Sequence, residues 1–190
     1  MKYLLYAISL LAFTFKAYAN PTYIIDETVS TVSFATIKKQ YVLEPAVITG
    51  IEGAIDQTGT LTAEIPISSL DSGIQVRDER LRKLFFNAEM YPLITVSAKV
   101  PANVLQSDKF IAQLAVPFSI TVMDTTKDMS TKVNLVKMGD TIAVSTSQPI
   151  VINAAEFNIP NENLSQLAAT VGNIPISTTV PVSFSLVLNK

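Results

Sequence analysis

Along Phe110-Ile111-Ala112-Gln113-Leu114-Ala115-Val116-Pro117-Phe118-Ser119-Ile120-Thr121-Val122, every second residue is apolar. Phe110, Ala112, Leu114, Val116, Phe118, Ile120 and Val122 occupy one face, with Gln113, Ser119 and Thr121 on the other. Successive side chains of a strand point to opposite faces, so these thirteen residues predict one long half-buried strand, or one bent near Pro117. The same rhythm recurs at Val180, Val182, Phe184, Leu186 and Leu188, where Ser183 and Ser185 face the other way. It recurs again at Ile94, Val96, Ala98 and Val100, opposite Thr95, Ser97 and Lys99. Fainter alternation marks Val29–Ile37, Ala46–Ile55, Leu61–Ile67, Thr131–Val136 and Thr141–Val151. About eight strands with few helical crossovers favour an antiparallel barrel or sandwich over a parallel sheet. The second faces are rich in Ser and Thr, and are expected to meet water while the apolar faces turn inward.

Two segments depart from this rhythm. Between Arg77 and Ala88, residues Leu81, Leu84, Phe85 and Ala88 fall at helical spacing, and Asp78/Arg82 and Glu79/Lys83 are favourable i,i+4 pairs. From Glu162 to Val171, residues Leu164, Leu167, Ala168 and Val171 share a face, with Asn161 as the expected N-cap and Gly172 as the stop. Short amphipathic helices of this kind commonly cover a barrel end or a sheet edge.

Composition narrows the chemistry. The 190 residues suit one domain and contain neither His nor Cys, which removes the commonest general base, the thiol nucleophile and the usual zinc ligands. No loop follows the calcium-binding Asp-x-Asp-x-Asp-Gly pattern, so the expectation is a non-enzyme without a metal or resident cofactor. Lys2, the apolar run Tyr3 to Phe15 and Ala17-Tyr18-Ala19 have the form of a secretory signal peptide cut between Ala19 and Asn20. This divides the chain into a signal at 1–19 and one domain at 20–190. The mature part would carry 12 basic and 16 acidic residues, a poor match for nucleic acid or an anionic membrane surface. No run of ~18 residues is both uncharged and predominantly apolar, so no stable membrane insertion is expected.

Several motifs together resemble the YceI-like family. They are Ser69-Leu70-Asp71-Ser72-Gly73, Arg77-Asp78-Glu79-Arg80-Leu81, Phe85-Phe86-Asn87 and Tyr91-Pro92-Leu93-Ile94-Thr95. Tyr23-Ile24-Ile25-Asp26 and Ser30 to Phe34 resemble the family's opening strand, and Gly50 and Gly53 its paired glycines. Ile152–Phe157 and Ile176–Leu188 are similar to its closing strands, so the resemblance runs from about Tyr23 to Leu188. It implies an all-β, antiparallel, eight-stranded, lipocalin-like barrel with one or two short helices inserted. It also implies a periplasmic protein that holds an isoprenoid lipid, a polyprenyl chain or a quinone, in an apolar lumen. Two family histidines are replaced by Val29 and Arg80, and Val96 stands where an aromatic usually does. Head-group or metal chemistry resting on those histidines cannot occur here.

The candidate lining residues are Phe34, Ile94, Val96, Leu114, Phe118, Val133, Leu135, Val144, Val182, Phe184 and Leu186. The same apolar faces would equally serve a barrel filled by its own side chains, in a secreted structural or interaction protein. Arg77 and Asp78 are head-group candidates or, alternatively, charges that pin the inserted helix. Phe85, Phe86 and Tyr91 form either an aromatic gate or a cap on the core. The expected partner is a hydrophobic small molecule; oligomeric state is open, with a homodimer one option.

Overall fold

The computed structural model describes residues 22–190, so the expected signal peptide and its cleavage position lie outside the described residues. The strands are β1 (Tyr23–Ile25), β2 (Thr31–Lys38), β3 (Val42–Ile48), β4 (Glu52–Ile55), β5 (Thr60–Pro66) and β6 (Leu93–Lys99). They continue with β7 (Lys109–Val122), β8 (Thr125–Met138), β9 (Thr141–Thr146), β10 (Ile150–Asn153) and β11 (Thr179–Asn189). All pairings are antiparallel, and the path β1-β4-β5-β6-β7-β8-β9-β11 closes on itself where β11 returns to β1. This is an eight-stranded lipocalin-like barrel. The three further strands prolong members of that ring. β2 continues β1 along the same edge of β11, β3 pairs with β2, and β10 follows β9 along the other edge of β11.

β7 is unbroken for 14 residues and pairs with β8 from Lys109↔Met138 to Val122↔Thr125. Pro117 does not interrupt it. The pairing of β7 with β6 stops at Phe118↔Ala98, so Pro117 lies beyond that ladder, where a missing N–H is tolerated. The expected strand Ala46–Ile55 is instead two strands, because Gly50 turns the chain through φ +61° between β3 and β4. β8 extends past the expected Val136, since Lys137 continues the buried face. Its ammonium donates to the Ser107 carbonyl and lies 6.0 Å from the Tyr23 ring centroid.

Two of the three helices lie at one end of the barrel, and the third follows the far end of β6 at the other. Ile74 leads into α1 (Gln75–Arg80), which widens into a π turn at Leu81–Phe85. α2 (Ala102–Gln106) is a single short turn that the periodicity gives no sign of, and it seats Val104 in the core. α3 (Asn161–Ala169) packs against the π turn, where Asn163 Nδ2 donates to the Phe85 carbonyl at 2.8 Å. Three expectations need correction. Pro160, not Asn161, precedes the first turn of α3, so that helix has no side-chain N-cap bond. Asp78 does not pair with Arg82: the buried carboxylate accepts from the Ser72 amide at 2.9 Å and from its hydroxyl. Arg82 donates to the carbonyls of Ser68 and Leu70, and Glu79 accepts from Gln75 instead of Lys83. The side chains that the helical spacing sets four apart thus have stronger claims elsewhere.

Candidate ligand-binding lumen

The inward faces of the strands surround a cavity of about 250 Å³. An interior packed like an organic crystal leaves few voids above the ~10–15 Å³ that one water needs, so this space is no packing defect. β7 contributes Val116, Phe118, Ile120 and Val122, all of one parity. Val133 and Leu135 come from β8, Ile142 and Val144 from β9, and Ile94, Val96 and Ala98 from β6. β11 adds its alternate residues from Val180 to Leu188, and β2 adds Val32, Phe34 and Thr36. The polar side chains on the wall are Thr36, Lys99, Thr131, Ser177 and Thr178; the rest is aliphatic or aromatic.

The expected lining residues Phe34, Ile94, Val96, Phe118, Val133, Leu135, Val144, Val182, Phe184 and Leu186 all lie on this wall. So do Phe85 and Phe86, whose rings meet edge to face at 4.9 Å under the helical end. Leu114 faces inward but packs into the hydrophobic core away from the cavity. Tyr91 is not on the wall either. Its hydroxyl donates to Asp124 Oδ2 at 2.7 Å, tying the chain before β6 to the β7–β8 turn. That bond holds the Tyr91 phenol above its ordinary pKa, because the nearby carboxylate favours the protonated form.

Parity already contains some lining residues that were not anticipated: Val180 and Leu188 continue the β11 face, and Thr131 the β8 face. Others required the tertiary fold. Ile51, Ile55, Ala63 and Ile65 come from β4, β5 and the turn before them, whereas Leu81, Phe157, Leu164 and Leu167 come from the segments that cover the end.

Arg77 and Asp78 diverge. Asp78 turns back to the loop before α1, while Arg77 faces a second space of about 190 Å³ beside the lumen. Thr36, Leu81, Leu167 and Ile176 wall both spaces. In the second one, Glu44 Oε2 lies 2.6 Å from Lys38 Nζ and Glu44 Oε1 accepts from Arg77 Nη2 at 3.0 Å. Arg80 lines the same space and has no hydrogen-bond or ion-pair partner among the described residues.

The YceI-like domain model matches residues 23–188. The fold is similar to that of a polyisoprenoid binding domain from Saccharophagus degradans implicated in plant cell wall breakdown. That match has a TM-score of 0.82 at 26% identity, over 90% of this chain and 99% of that one. BcnA of Burkholderia cenocepacia shares the fold at a TM-score of 0.62 and 20% identity, over 86% and 98% of the two chains. No curated protein matches the sequence significantly.

Proposed function

Since the chain belongs to the YceI-like domain family, we propose that it is a non-catalytic carrier that holds the tail of an isoprenoid-class lipid in the barrel lumen. The observation that carries this reading is the 250 Å³ cavity with its almost wholly apolar wall. Burial adds roughly 0.8 kcal/mol per methylene, offset in part by ordering the tail. The polyisoprenoid binding domain of Saccharophagus degradans supports the ligand class. The aliphatic wall makes few demands on the tail, so the protein accepts related chains and not one species. The segment at 1–19 supports secretion, with the periplasm as the working compartment.

Native mass spectrometry of the full chain expressed with export, followed by organic extraction, tests the proposal. A stoichiometric long-tailed isoprenoid is expected. Val96→Trp combined with Val144→Trp, which fills the lumen from β6 and β9, should abolish that adduct and leave the β-sheet circular dichroism unchanged. A bare mass for the unaltered protein, with no uptake of added prenols or quinones, would refute it and favour an interaction role.

A further inference from the structure

The space beside the lumen differs from it in chemistry. Its wall includes three cations, Lys38, Arg77 and Arg80, against one carboxylate, Glu44. Glu44 holds two of the cations toward itself, through contacts of 2.6 Å and 3.0 Å, and their side chains are only 18% and 19% exposed. The third, Arg80, is half-buried and has no anionic partner among the described residues. The neighbouring carboxylates of α1 do not balance it. Asp78 is taken by Ser72 on the other side of the helix, and Glu79 is exposed and bonded to Gln75. An excess of positive charge therefore stands in a partly dehydrated recess, where screening is weaker than at an open surface.

We propose that this recess binds the anionic head, of the phosphate-ester class, of the lipid whose tail fills the lumen. The inference rests on the carrier reading above and narrows it from isoprenoids at large to prenyl phosphates. Position supports it, because Thr36, Leu81, Leu167 and Ile176 border both spaces and a head in one is covalently continuous with a tail in the other. Donor capacity supports it as well. A guanidinium has five N–H donors, and Glu44 takes one from Arg77, which leaves Arg77 and the whole of Arg80 free to grip phosphate oxygens. A neutral quinone or prenol entering the same recess would displace water from these cations without compensating their charge. Glu44 then acts as the strut that keeps Lys38 and Arg77 aimed inward when the recess is vacant.

The test compares solanesyl monophosphate, solanesol and a solanesyl-tailed quinone, each competing for the unaltered full chain under native mass spectrometry in volatile buffer. The phosphate is expected to win by at least about tenfold, the margin that charge-assisted hydrogen bonds confer over neutral ones. Arg80→Gln should remove most of that preference and leave solanesol binding unchanged. Arg77→Gln is the second variant, read only if its circular dichroism matches the parent, and should act in the same direction. Inorganic phosphate at equal concentration should not displace the lipid. Equal binding of the three lipids, or a preference that survives both substitutions, would overturn the head-group assignment while the carrier reading stands. Displacement by inorganic phosphate would also overturn it and point to a free-anion site. Uptake of none of the three would bring down both proposals together.

Discussion

A β-carbon at position 53 would sit 2.3 Å from the Thr62 carbonyl oxygen, 2.9 Å from Ala63 Cα and 2.8 Å from Ile25 Cδ1. Two of those atoms are backbone in the paired strand β5 and cannot swing aside. Gly53→Ala is therefore expected to destabilise the barrel by about 1–3 kcal/mol, seen as a lower urea midpoint with an unchanged slope. Asp56, three residues on, shows a different residue-scale effect. Its carboxylate accepts from the Thr58 hydroxyl at 2.7 Å and from the amides of Thr58 and Thr60 at 2.8 and 2.9 Å. These bonds, the Thr58 hydroxyl foremost, hold its pKa below the ordinary aspartate value. A folded-state pKa below the unfolded one contributes stability above about pH 4 and loses it as the pH falls through the depressed value. The melting temperature should thus decline from about pH 4 downward, and Asp56→Asn should flatten that part of the acid limb. At this scale the sequence is only partly legible. Parity singles out Val96 and Phe184 as inward without any structure. Nothing near Tyr91 announces that its hydroxyl is engaged by Asp124, 33 residues later, so its aromatic neighbours Phe85 and Phe86 invite the wrong company for it.

Among the elements, the long strands are the most readable and the covers the least. β7 reads directly because its apolar parity has no exception, whereas β8 reads short because Lys137 looks like the end of an apolar face. The Ser107 carbonyl, supplied by the segment after α2, and the Tyr23 ring together make a lysine acceptable inside. Helical spacing locates α1 and α3 but misassigns their polar contacts, since caps and i,i+4 pairs are weak preferences that tertiary partners override. The docking of α3 on the π turn has a measurable counterpart. Asn163→Ala removes the 2.8 Å bond to the Phe85 carbonyl, the polar tie between these two covers of the lumen. Amide exchange should rise in α3 and in Leu81–Phe85 while the strands keep their protection, and bound lipid should leave faster. Unchanged exchange in both segments would show that apolar packing through Leu164 and Leu167 alone holds the cover.

For the whole molecule, the repeated alternation locates most of the strands, reading eleven as about eight, but closure is not visible in it. Alternation states which side of a strand is apolar and is silent on whether the sheet curls back on itself. What joins the ends is the pairing of Ile25 with Leu188 and of Phe34 with Val182. From β4 to β9 the links of the ring connect strands that follow one another along the chain, with β7–β8 the longest of them, while β1–β4 and β9–β11 each span a shorter inserted segment. This difference gives the molecule an order of assembly. Hairpins close small loops and form early, whereas the β1–β11 and β2–β11 pairings must bring together segments near opposite ends of the chain, at the largest loop entropy. Until then the first and last strands each offer an unpaired edge, and the lumen is a trough open along its side, not a tube. A long-tailed guest can lie down in a trough far more readily than it can thread a finished tube. The last seam to form is therefore also the step that turns an open sheet into an enclosure.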